Sequence, residues 1–175
     1  MHGAVVVVAD GRIEEVCLAA EFEPRDTDAQ FNCEGRFVCP GFIDLHNQGG
    51  GGFSVMDGSA EHIQGMCRAH AARGATGLLL TPVVETAGFE RLLPRLAAHV
   101  NTETGGAAVL GIHAEGPFVS TQRRGCMPFT GIAEPDADLL GRILDAGDGT
   151  IKEMTIAPEL PGAHELILRL ARDGV

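Results

Sequence analysis

An α/β fold built on a parallel sheet is predicted from three observations. After residue 39, short apolar runs alternate with amphipathic segments of helical spacing, in the order βαβαβαβα. Those runs are nearly continuous in apolar residues rather than alternating, the pattern of strands covered on both faces. Turn residues close each run, and glycine makes up 24 of the 175 residues, well above an average usage of about 7%. In this architecture functional groups sit at the carboxyl ends of the strands, whether the sheet is open and doubly wound or curled into a (β/α) barrel.

Composition narrows the function. Lys plus Arg number 13 and Asp plus Glu 24, a net charge of −11. Nucleic acid and anionic membrane both select a basic footprint, so neither is expected as a partner. Apolar residues at 45% exclude a disordered chain. Ala4 to Ala9 is too short to span a bilayer and has no basic segment before it, so a cytoplasmic protein is expected. The five cysteines (Cys17, Cys33, Cys39, Cys67, Cys126) contain no CxxC spacing, and predict free thiols rather than a disulfide framework.

The first forty residues read as β structure. Ala4 to Ala9 and Arg12 to Leu18 flank Asp10-Gly11, a hairpin signal. Asp26 to Gln30 reads as a polar loop and Phe31 to Val38 as a further short strand. Phe42 to His46 is an apolar strand running into Gly49 to Gly52, which reads as a loop. Ser59 is placed to cap a helix over 60–73 that Gly74 stops, with Ile63, Met66, Cys67 and His70 on one face. Strands follow at 77–82, 107–113 and 151–156. Helices are expected at 89–100, with Pro94 a disturbance near its first turn, at 135–146 and at 163–172.

Four strand ends then carry the candidate chemistry: His46 and Gln48; Thr81; His113 and Glu115; Pro158 and Glu159. Glu115 closes its strand in His113-Ala114-Glu115-Gly116-Pro117-Phe118. Its carboxylate is either a metal ligand or a strand-end group that caps the next helix or pairs with Arg123 or Arg124. His46 and Gln48 stand at i and i+2, on one side of a strand. That is half of a His-x-His metal pair, since an amide is a poor zinc ligand. Arg123 and Arg124 are either anion-binding or solvated. The glycine run lacks any phosphate-loop spacing.

Pro40-Gly41-Phe42-Ile43-Asp44-Leu45-His46 with its glycine-rich loop and Met56-Asp57-Gly58 resembles the amidohydrolase superfamily. Gly111 to Phe118 and Thr155-Ile156-Ala157-Pro158-Glu159 narrow the likeness to the amino-terminal half of the N-acetylglucosamine-6-phosphate deacetylase family. The resemblance implies the first four βα units of a (β/α)8 TIM barrel over residues 39–175. It also implies part of a small β-sandwich over residues 1–38. It implies hydrolysis of an amino-sugar phosphate to acetate and the free amine. Glu115 would hold one divalent metal, zinc or iron, with His46 a second candidate. Further histidines and the general base would lie beyond residue 175, so no catalytic residue is assigned here. The full-length enzyme is expected to be a homo-oligomer. Where the family carries Gly-Ala-His or Gly-Thr-His, this chain has Gly125-Cys126-Met127. Cys126, Met127 and Gln48 are thus the substrate-contact candidates, and a thioether gives a sugar no strong hydrogen bond. Two alternatives stay open: an amidohydrolase for another amide, and a non-catalytic half-barrel. A whole barrel takes about 250 residues, so the 175-residue chain is expected to be inactive alone.

Overall fold

The computed structural model describes residues 3–24 and 29–175. The chain divides into two compact units, Met1–Pro40 and Gly41–Val175.

In the first unit, β1 (Ala4–Ala9) pairs antiparallel with β2 (Arg12–Leu18). Asp10 and Gly11 turn the chain with φ of 49° and 73°, the two left-handed residues that a type I′ hairpin requires. This ladder is the extent of β structure in the unit's described residues. The strand expected over 31–38 is absent. Glu34 and Gly35 instead form a turn at φ of 50° and 74°. The Asn32 side chain accepts from the Glu34 N–H at 2.9 Å, and Arg36 N–H donates to the Cys33 carbonyl at 2.8 Å. Local side-chain bonding has displaced the ladder, leaving Phe31 and Phe37 89% and 96% exposed. Of the loop expected over 26–30, residues 26–28 lie outside the described residues.

The second unit opens with β3 (Phe42–Asn47) and a small hairpin of β4 (Gly49–Gly50) and β5 (Phe53–Ser54). Gly49 and Gly50 are therefore paired, while Gly51 and Gly52 form the turn between the two strands. Gly50 and Gly51 lie close against the next helix. A Cβ at Gly50 would sit 2.5 Å from His70 Nε2, and one at Gly51 2.8 Å from Ala69 Cβ. There follow α1 (Ala60–Ala71), β6 (Ala75–Leu80), α2 (Phe89–Ala97), β7 (Ala108–Glu115), α3 (Ala137–Ala146), β8 (Ile151–Thr155) and α4 (Ala163–Asp173). Pro94 lies in the second turn of α2. It withholds the N–H that Glu90 would have received, and the helix ends at Ala97, short of the expected Val100.

The four long strands are parallel in the order β3-β6-β7-β8. Each new strand joins on the same side as the last. A doubly wound sheet would reverse about its first strand; one-way winding is the topology of a (β/α) half-barrel. All four helices bury residues in one apolar cluster with the sheet. Ile63, Met66, Leu93, Leu96, Leu140, Ile143, Leu166 and Leu170 meet Leu78, Leu80, Val109, Ile112 and Ile151. No helix of the described residues is long and apolar enough to cross a membrane.

One irregularity decides what the sheet presents. Leu78 pairs with Val109 but Leu79 with Gly111, so Leu110 is an extra residue in β7. A strand's side chains alternate faces, so one extra residue reverses the sides beyond it. Val109 points into the helical core, and beyond the bulge it is Ile112 and Ala114 that do so. His113 and Glu115 are thereby delivered to the opposite, concave side.

Two features give direct tests. Asp136 caps α3, its Oδ1 accepting from the Leu139 N–H at 2.7 Å. Asp136→Ala is expected to lower stability by about 1 kcal/mol, read by urea denaturation. Cys67 is buried, and desolvation pushes its thiol pKa up against smaller opposing effects of Thr104 and Arg68. A raised pKa leaves less thiolate at neutral pH. A thiol reagent is therefore expected to label exposed Cys33, Cys39 and Cys126 first, and Cys67 only on unfolding.

Candidate functional site

The parallel strands deliver three groups to one place at their carboxyl ends. Glu115 ends β7, and Gly116, at φ 78°, turns the chain immediately after it. The backbone of Glu115 is fixed on both sides. Its N–H donates to the Pro82 carbonyl at 3.1 Å and its carbonyl accepts from Val84 N–H at 3.0 Å. Its carboxylate is held by Gln48, whose Nε2 donates to Oε2. The other oxygen, Oε1, faces His46 Nε2 at 4.0 Å. The carboxylate side chain is 16% exposed and the imidazole 51%, so the pair opens to solvent on the His46 side.

His46 and Gln48 reach Glu115 because β3 is itself irregular. Asp44 pairs with Leu78 and Asn47 with Leu80, so Leu45 and His46 together face Leu79 alone. Asn47, between the two site residues, turns away and anchors them. Its N–H donates to Thr81 Oγ1 and its carbonyl accepts from Thr81 N–H, both at 2.8 Å. Its Nδ2 donates to Asp44 Oδ2 at 2.8 Å and lies 2.8 Å from His70 Nε2. Thr81, a strand-end candidate in the sequence, thus clamps the backbone of β3 at Asn47.

Arg124, Met127 and Cys126 lie on the segment that follows Glu115. Arg124 stacks its guanidinium 4.3 Å from the Phe129 ring centroid and donates to the Met127 carbonyl. Met127 is buried, and a Cβ on Gly116 would lie 3.1 Å from its Cε. It packs against the turn that follows Glu115, while Cys126 stands exposed on the loop.

His113 stands among the strand-end candidates with no specific chemistry assigned to it, and its ring lies edge-on to His46 at 4.9 Å between centroids. Period-two alternation from Glu115 was the signal that pointed to it. Thr155, opposite Glu115 in the β7–β8 register, joins the same face.

A carboxylate oxygen and an imidazole nitrogen are the right donor types for zinc, which takes four ligands in structural sites and three protein ligands plus water in catalytic ones. Among the described residues this site presents two. Both His113 nitrogens are already engaged, with Leu45 and Thr155. Among the described residues no cluster of three or more His, Cys, Asp or Glu side chains is arranged to hold a metal. The donors therefore fit part of a metal site.

No family model matches the chain. It is 33% identical over 173 residues to the N-acetylglucosamine-6-phosphate deacetylase of Lysinibacillus sphaericus, covering 97% of this chain and 43% of that one. The Bacillus subtilis enzyme of the same name is 32% identical over 174 residues, covering 97% and 44%. A structure of the Mycobacterium smegmatis N-acetyl-D-glucosamine-6-phosphate deacetylase, solved with N-acetyl-D-glucosamine-6-phosphate, superposes with a TM-score of 0.84. It shares 33% identity and covers 97% of this chain and 43% of that one. The resemblance read from the sequence is borne out: these curated homologues and structural neighbours are deacetylases of that kind. The chain spans less than half the length of the relatives it matches.

Proposed function

We propose, from its homology with N-acetylglucosamine-6-phosphate deacetylases, that this chain forms part of a metal-dependent amidohydrolase. In this reading a protein containing it hydrolyses N-acetylglucosamine 6-phosphate to glucosamine 6-phosphate and acetate. The likeness over 97% of the chain carries the proposal, and the placement of Glu115 supports it. Glu115 and His46 would hold one divalent ion, zinc or iron. Such an ion polarises an amide carbonyl and lowers the pKa of water toward neutrality. This chain's own part is to fix the carboxylate. Gln48 occupies Oε2, the Pro82 and Val84 backbone pins the strand end, and Oε1 is left facing His46. This reading assigns no general base and no further ligand among the described residues of this chain.

The same proposal assigns residues 1–38 to part of a small sandwich and residues 39–175 to the first half of the barrel, in a cytoplasmic homo-oligomer. Its partner is a small amino-sugar phosphate. Met127 favours one second reading. It is buried beside the Glu115 turn, where a histidine would give a sugar hydroxyl or phosphate a hydrogen bond, so another amide is the alternative substrate.

Acetate release tests both. This chain joined to the carboxyl-terminal part of the Lysinibacillus sphaericus enzyme is expected to hydrolyse N-acetylglucosamine 6-phosphate, and the 175-residue chain alone is not. A folded, metal-loaded fusion that turns over other amides but not this one would establish the second reading.

A further inference from the structure

The bulge in β3 that presents His46 and Gln48 leaves a backbone carbonyl without a ladder partner, and a side chain from two strands away meets it. Leu45 and His46 stand opposite Leu79 alone, so the ladder to β6 is broken there. On one side of the break the His46 N–H donates to Asp44 Oδ1 at 3.1 Å. On the other, the Leu45 carbonyl lies 2.9 Å from His113 Nδ1. His113 belongs to β7, and β6 lies between the two strands. Its ring therefore crosses the concave face of the sheet.

We propose that His113 is a positioning residue that holds the β3 bulge so that Gln48 and His46 meet Glu115. A carbonyl only accepts, so Nδ1 must carry the hydrogen. In the neutral ring Nε2 is then an acceptor, and it lies 2.8 Å from Thr155 Oγ1, whose hydroxyl donates. One buried ring, 5% exposed, thus ties β3 and β8 to β7. The bond to Leu45 sets where residues 46–48 leave the sheet; the bond to Thr155 orients the ring. Glu153, with a carboxylate oxygen 3.9 Å from Nδ1, faces the same nitrogen. The inference deepens the site proposed above. Its test uses neither metal nor turnover, so it succeeds or fails independently of that reading.

The test is nuclear magnetic resonance on the complete 175-residue chain. In the unaltered protein the ring nitrogens of His113 are expected to show the hydrogen on Nδ1; a hydrogen on Nε2 alone overturns the proposal without any variant. The side-chain amide of Gln48, identified by its loss in Gln48→Ala, reports the contact with Glu115. His113→Asn keeps a donor at the Nδ1 position, whereas His113→Gln keeps a polar group only near Nε2. The Gln48 amide signal is expected to stay in place in His113→Asn and in Thr155→Val. In His113→Gln it is expected to move to the position of a free amide. Equal displacement in the Asn and Gln variants, or none in the Gln variant, would show that His113 does not position this strand end.

Discussion

Phe118→Ala is expected to lower the stability of the unit formed by residues 41–175 by about 3–5 kcal/mol. Phe118 is fully buried and belongs to the continuous core that joins sheet and helices. It also follows the Glu115-Gly116-Pro117 turn directly. Its carbonyl accepts from Ala157 N–H at 2.8 Å, tying the segment after β7 to the segment after β8. Truncation at Cβ removes the ring from the core and leaves a cavity that a fixed turn on one side cannot close. Domains of this size are stable by about 5–15 kcal/mol, so the loss is a large fraction of the whole. The check is the urea midpoint at unchanged slope. A loss of less than about 1 kcal/mol, the centre of the range for ordinary substitutions, would mean that the ring is not the core element described.

Much of this arrangement was legible in the sequence because it follows from local rules. The Asp10-Gly11 hairpin, the cap at Ser59 and the four βα units each rest on a signal within a few residues. What was not legible depends on pairing across the sheet. The strand expected at 31–38 has apolar residues in it, but a strand needs a partner, and Asn32 and the Glu34-Gly35 turn resolve the segment locally. Nor does any residue pattern announce that Leu110 is an extra residue in β7. That insertion sends His113 and Glu115 to the concave face. The site shows the same division. Glu115, His46 and Gln48 could be nominated by position, and the structure brings the three together. The bridge from His113 to Leu45 could not, because its acceptor is a backbone carbonyl freed by a register break in another strand. Met127 could be placed on the loop after Glu115, but its burial against Gly116 is a tertiary fact.

Glu115→Gln is expected to abolish retention of the site metal in a protein joining this chain to the carboxyl-terminal part of a homologous deacetylase. Glutamine keeps the shape of the side chain and replaces an anionic oxygen by an amide, a poor ligand for zinc. In this chain Glu115 is the acidic group facing His46, so the substitution removes the charge that pairs with a divalent ion while leaving the imidazole. Gln48→Ala is the matched control. Gln48 bonds Oε2, whereas Oε1 faces His46. Its loss costs the carboxylate an orienting partner, an effect of about 10–100-fold in affinity for groups of that kind, and leaves both donors in place. Metal content after dialysis separates the two variants. Near-stoichiometric metal is expected in the parent and in Gln48→Ala, and almost none in Glu115→Gln. Equal metal in Glu115→Gln and parent would remove Glu115 from the ligand set. Loss in Gln48→Ala as complete as in Glu115→Gln would place the amide itself among the ligands, contrary to its bond to the carboxylate.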